Sequence, residues 1–102
     1  MVKLTKEIIL DTLHKHKKEI RNFGVKKISL FGSFARDEQN KNSDIDFLVE
    51  FEKNRGLFRD FYGLMHFLED TFNKKIDLVE PEYIRKELKE DILEGMKYEA
   101  KV

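Results

Sequence analysis

Cysteine and tryptophan are both missing from this 102-residue chain, and proline occurs once, at Pro81. The lack of cysteine rules out a disulfide framework and fits a cytoplasmic protein. An excess of charge of one sign is also missing: Lys plus Arg and Asp plus Glu each number 20. A chain without net charge sets up no broad field for nucleic acid, so no direct nucleic-acid partner is expected. Long apolar runs are absent too. None approaches the roughly 20 residues of a membrane span, and the opening MVKLTKEIIL has no apolar core of a signal peptide. No repeat, low-complexity tract or linker divides the sequence. Residues 1–102 therefore read as a single domain with a modest core, too small for two lobes.

What the chain does have is a pattern of short apolar runs, and the most informative spans Ile28 to Phe51, ISLFGSFARDEQNKNSDIDFLVEF. An apolar strand stops at Gly32-Ser33, a polar loop follows, and a second strand opens on Asp44 and Asp46. Side chains alternate along a strand, so Ile45, Phe47, Val49 and Phe51 share one face while Asp44, Asp46, Leu48 and Glu50 share the other. The first face belongs to a core. The second carries two carboxylates with Cβ atoms roughly 7 Å apart, within reach of one or two divalent cations. Hard cations such as Mg²⁺ take oxygen ligands, typically one or two carboxylates completed by water and substrate phosphate.

The Gly-Ser step complements that site. Gly32 lets the backbone turn, Ser33 is a favoured N-cap for a short helix through Arg36, and free amides there with Arg36 one turn on would attract phosphate oxygens.

The remaining chain frames this centre. Residues 5–23 are expected to form one amphipathic helix, with Thr5 as N-cap, Ile9, Leu13, His16, Ile20 and Phe23 on the apolar face and Gly24 beyond its end. The i, i+2 spacing of His14 and His16 puts them on different sides, which argues against a shared metal. Val25–Phe31 and Asp44–Phe51 are the strands, and the loop DEQNKNS between them should be mobile. Leu57, Phe58, Phe61, Leu64, Met65, Leu68 and Phe72 recur at helical spacing and predict a core-facing helix whose aromatics, Tyr62 and Phe67 included, are packing. Lys75–Val79 is a third strand. Its Asp77 either faces water at a strand edge or joins Asp44 and Asp46 as a third carboxylate, if the third strand lies beside the second. Pro81 at a first turn, then Ile84, Leu88, Ile92 and Met96, predict a last helix from Glu82 to about Tyr98.

The expected fold is α/β: a small mixed sheet of three to four strands, helices on one face, order α-β-(short α)-β-α-β-α, with the acid-bearing face open as a shallow site. Gly32-Ser33, ten residues, then Asp44-x-Asp46, each at the end of an apolar run, resembles the signature of the polymerase-beta-like nucleotidyltransferase superfamily. GSFAR…SDIDFLVEF in so short a chain is similar to its minimal nucleotidyltransferase (MNT) family.

That resemblance implies more than the residues do by themselves. It implies nucleotidyl transfer, most simply AMP from ATP, with two Mg²⁺ ions held by Asp44, Asp46 and Asp77 as catalytic carboxylates. It implies triphosphate binding by Gly32, Ser33 and Arg36, and it makes Asp77 the third acid, since such an acid on a neighbouring strand is a family feature that Asp77 matches. MNT proteins are antitoxins that modify a tyrosine of a HEPN-domain ribonuclease toxin, so the implied partner is such a toxin in a hetero-oligomer, met partly through the C-terminal helix and an outward Tyr98. The alternative is a non-catalytic nucleotide-binding or toxin-binding subunit that neutralises its partner by contact alone. One position departs from the family pattern G-S-x-A-R-G: Asp37 replaces the last glycine, where a carboxylate would pair with Arg36 or repel triphosphate.

Overall fold

The computed structural model describes residues 3–83 and 97–102. The chain opens with α1 (Lys6–Lys15), capped by Thr5, whose Oγ1 accepts the Ile8 amide at 3.3 Å. The expected single helix is two: after a one-residue break at His16, α2 covers Lys17–Asn22. His is a weak helix former. Here its amide is shared between Thr12 O and Leu13 O, while its ring packs edge-on against Phe67 at 5.6 Å. The break still leaves Ile9, Leu13 and Ile20 in the core.

Strand β1 (Val25–Phe31) follows, then the one-turn α3 (Gly32–Ala35), β2 (Ile45–Phe51), α4 (Phe58–Phe72), β3 (Ile76–Val79), a 3₁₀ turn (Pro81–Tyr83) and β4 (Tyr98–Glu99). The four strands lie in the order β3-β2-β1-β4. β1 runs antiparallel to both β2 and β4, and β2 runs parallel to β3, so the sheet is mixed, as expected.

One sheet face is the core. Ile28 and Leu30, Ile45, Phe47 and Val49, and Ile76 and Leu78 cluster with Ile9, Leu13, Ile20, Leu64 and Leu68 of the helices. Among the described residues, burying eleven large side chains almost completely, at about 1.5–3 kcal/mol each, is the main drive for this layer. On the opposite face Leu48 and Ser29 are buried as well. The acid-bearing face is therefore covered at its middle, between half-buried Asp46 and exposed Glu50, and not open along its whole length as the alternation suggested.

Three further expectations change. Leu57 and Phe58 stand outside the core stripe, 75% and 78% exposed, and Tyr62 is exposed beside Phe58. The turn before α4 accounts for this: Asp60 accepts the Gly56 amide and a two-pronged contact from Arg55, which starts the helix with Leu57 and Phe58 turned to solvent. Tyr98 is not a helix end but a β4 residue, half-buried against the core. Of the rest of the last predicted helix, Glu82 and Tyr83 lie in the 3₁₀ turn, and residues 84–96 are outside the described residues.

Candidate active site

The second strand owes its position to local bonds. The loop expected to be mobile carries its own turn, in which Ser43 Oγ accepts the Asn40 amide at 2.9 Å and Asn40 Oδ1 accepts that of Asn42 at 2.8 Å. Lys74 Nζ reaches the carbonyls of Lys41 and Ser43, and Ile45 N donates to Lys75 O. Asp44 and the start of β2 are thereby fastened to the start of β3.

This fastening sets the register that matters. Ile45 pairs with Ile76, so Asp46 lies directly beside Asp77 on the neighbouring parallel strand, while across β1 it pairs with Phe31. Both readings of Asp77 are met in part: it is exposed on the edge strand β3, and it lies beside the Asp46 carboxylate.

The electrostatics follow from the placement. Asp46 is half-buried, and its carboxyl is pushed from its ordinary 3.8 up to about 6, first by loss of solvent and then by the Asp77 carboxyl close enough to share a proton with it. Asp44 adds a smaller repulsion, and Arg36 opposes the shift. Asp46 and Asp77 thus form a facing pair. Asp44 acts on them at longer range. Among the described residues, no three His, Asp or Glu side chains converge on one point. Two facing oxygen donors that repel each other for want of positive charge suit a hard divalent cation that takes its other ligands from water and phosphate.

Gly32 is the residue that lets the turn meet this pair. Its φ of +76° is one that L side chains rarely adopt, and a Cβ there would run into the Asp46 carboxylate. Because Gly32 itself makes the turn, α3 begins two residues earlier than expected. Phe31 is its extended N-cap, with no side-chain capping bond, and Ser33 sits inside the first turn rather than capping it. Arg36 ends the helix with its guanidinium half exposed, 3.0 Å from Glu38.

Asp37 does not pair with Arg36. Its carboxylate binds Lys6 Nζ at 3.0 Å, and its φ of 56° is left-handed. Lys6 carried no sequence signal, being one lysine among many on a helix whose apolar face alone was readable.

A sequence model described as "Nucleotidyltransferase domain" matches residues 13–98. The chain is 37% identical over 99 residues to the protein adenylyltransferase MntA of Thermococcus cleftensis, covering 96% of this chain and 99% of that one. A solved structure, provisionally described as a minimal nucleotidyltransferase, superposes with TM-score 0.68 at 29% identity over 91% of this chain and 95% of its own. A toxin–antitoxin structure with AMP-PNP shares the fold, with TM-score 0.67 at 22% identity over 88% and 70% of the two chains. With its Gly32 turn set against paired carboxylates on adjacent parallel strands, the chain belongs to the nucleotidyltransferase domain family.

Proposed function

We propose that this protein transfers AMP from ATP to a hydroxyl of a partner protein, most simply a tyrosine of a HEPN-domain toxin, and so acts as that toxin's antitoxin in the cytoplasm. The observation that carries the reading is the facing pair Asp46–Asp77 with the Gly32 turn packed against it. The name of the 37%-identical relative, a protein adenylyltransferase, supports the protein acceptor.

In this reading Asp46 and Asp77 would hold Mg²⁺, with Asp44 adding its charge from longer range, and the ion when bound would supply positive charge to the triphosphate and to the attacking oxygen. The chain's own residues do the rest. The Gly32–Ser33 backbone and the Arg36 guanidinium hold phosphate oxygens. The acceptor oxygen bonds to the α-phosphorus, the bond from that phosphorus to pyrophosphate breaks, and the hydroxyl proton passes to the Asp77 carboxylate. Asp77 is given this role because it is the more exposed of the pair. Most of the rate enhancement comes from alignment and charge compensation rather than a covalent intermediate.

Incubation with ATP labelled on the α-phosphate, Mg²⁺ and the protein encoded beside this one tests it. Label should pass to a tyrosine of the partner, and EDTA should stop it. A tight complex with the partner that takes up no label would favour neutralisation by contact alone.

A further inference from the structure

The short helix that carries the phosphate turn ends in a way that calls for glycine. The Glu38 amide donates to Ser33 O at 2.9 Å and the Asp37 amide to Phe34 O at 3.4 Å. These are the two bonds of a Schellman ending, in which the residue after the cap takes a left-handed conformation and is usually glycine. Here it is Asp37, at φ 56°. A side chain held in that conformation needs something to hold it, and its negative charge lies next to Arg36.

Lys6 meets both needs. Its side chain, only 20% exposed, comes from the first turn of α1 and places Nζ 3.0 Å from Asp37 Oδ2. The same ammonium lies 3.4 Å from the Tyr98 hydroxyl and 4.8 Å from the centre of that ring. Tyr98 pairs with Leu30 on β1, two residues before Gly32. One cation therefore ties α1 and β4 to the far end of the turn that bears Gly32, Ser33 and Arg36.

We propose that Lys6 is a positioning residue for the phosphate-holding turn. It pins Asp37 in the left-handed conformation that closes α3, and it neutralises a carboxylate that would otherwise pair with Arg36 or oppose a triphosphate. The inference rests on the nucleotidyl-transfer reading for its nucleotide consequence, while its structural half stands apart from that reading.

Two measurements on K6M, K6R, D37G and the double variant K6M/D37G test it. Amide hydrogen exchange reports the turn directly: K6M should speed exchange of the Glu38 amide about tenfold, with β1 and β2 as protected as before, and K6R should restore most of the protection. Calorimetric titration with ATP and Mg²⁺ reports the consequence. K6M should weaken binding about threefold to tenfold, whereas in the D37G background the same substitution should do nothing, because the charge and strain that Lys6 offsets are gone. Unchanged Glu38 exchange in K6M would overturn the proposal. So would an equal loss of ATP affinity in both backgrounds, which would make Lys6 a phosphate ligand itself. Should the unaltered protein bind no ATP, the transfer reading falls, and the exchange result still decides the role of Lys6.

Discussion

Replacing Asp46 by asparagine separates a working carboxylate from a structural one, because the two roles predict opposite signs. In the folded protein Asp46 keeps its proton up to about pH 6, against an ordinary 3.8. Between these values the folded state holds more protons than the unfolded state, so stability falls as pH rises through that window and stays reduced above it. A shift of this size corresponds to about 3 kcal/mol, and since the group is only half-buried, solvent screening leaves about 1–2 kcal/mol. Asparagine keeps the shape beside Gly32 without the charge. At pH 7.5 in EDTA, D46N should therefore melt higher than the unaltered protein, at about 4–8 °C per kcal/mol for a domain of this size. Near pH 3 the difference should vanish, because the carboxyl is then protonated in both states. Excess Mg²⁺ should raise the melting temperature of the unaltered protein and leave D46N where it was, and nucleotidyl transfer should be lost. Thermal melts at the two pH values, with and without Mg²⁺, read all of this. A drop of several degrees for D46N at pH 7.5 in EDTA would refute the reasoning, since it would mean that the ionised carboxylate is favourably paired.

Gly32→Ala should destabilise by about 1–3 kcal/mol in urea titrations and weaken ATP binding, because it both strains a left-handed backbone and crowds the Asp46 carboxylate; an unchanged midpoint would show that the turn can relax. Arg36→Met should leave the melting temperature within a degree or so while raising the KM for ATP about tenfold, measured by initial rates over a range of ATP. Asp60, held down to about 2 mainly by the Arg55 guanidinium and then by the Gly56 amide, contributes stability that is present above pH 3.8 and lost as pH falls through 2. Asp60→Asn should therefore cost about 1 kcal/mol at pH 7 and almost nothing near pH 2, as followed by chemical denaturation at both.

How far the sequence could be read depended on whether a position is fixed by local chemistry or by contacts made across the fold. Strand alternation placed Ile45, Phe47 and Val49 in the core, because a two-residue period leaves no other way to bury them beside polar neighbours. The same rule says nothing of what lies over the opposite face, and there Leu48 is buried, not open. Asp77 comes to lie beside Asp46 because one register, Ile45 against Ile76, serves both the core and the acid pair. Helix ends were less legible. Glycine at 32 was seen as a turn residue, but whether the turn precedes or belongs to α3 depends on a backbone angle that no composition specifies. Leu57 and Phe58 matched the helical stripe by spacing, yet the Arg55–Asp60 contact fixes the first turn so that they face solvent.

Asp37 is where local reading and fold diverge most. Considered with its sequence neighbours alone, it is a carboxylate next to a phosphate arginine and an argument against triphosphate binding. The ammonium that changes its meaning comes from 31 residues earlier, and no period or spacing links the two. A left-handed position freed of its glycine is tolerable when a distant cation holds the new side chain, and the charge that would oppose the ligand becomes part of what fixes the turn. Departures from a motif are therefore better weighed by asking which distant group could offset them than by counting matches. At this site that group is Lys6, and its removal, rather than that of Asp37, is the more damaging change.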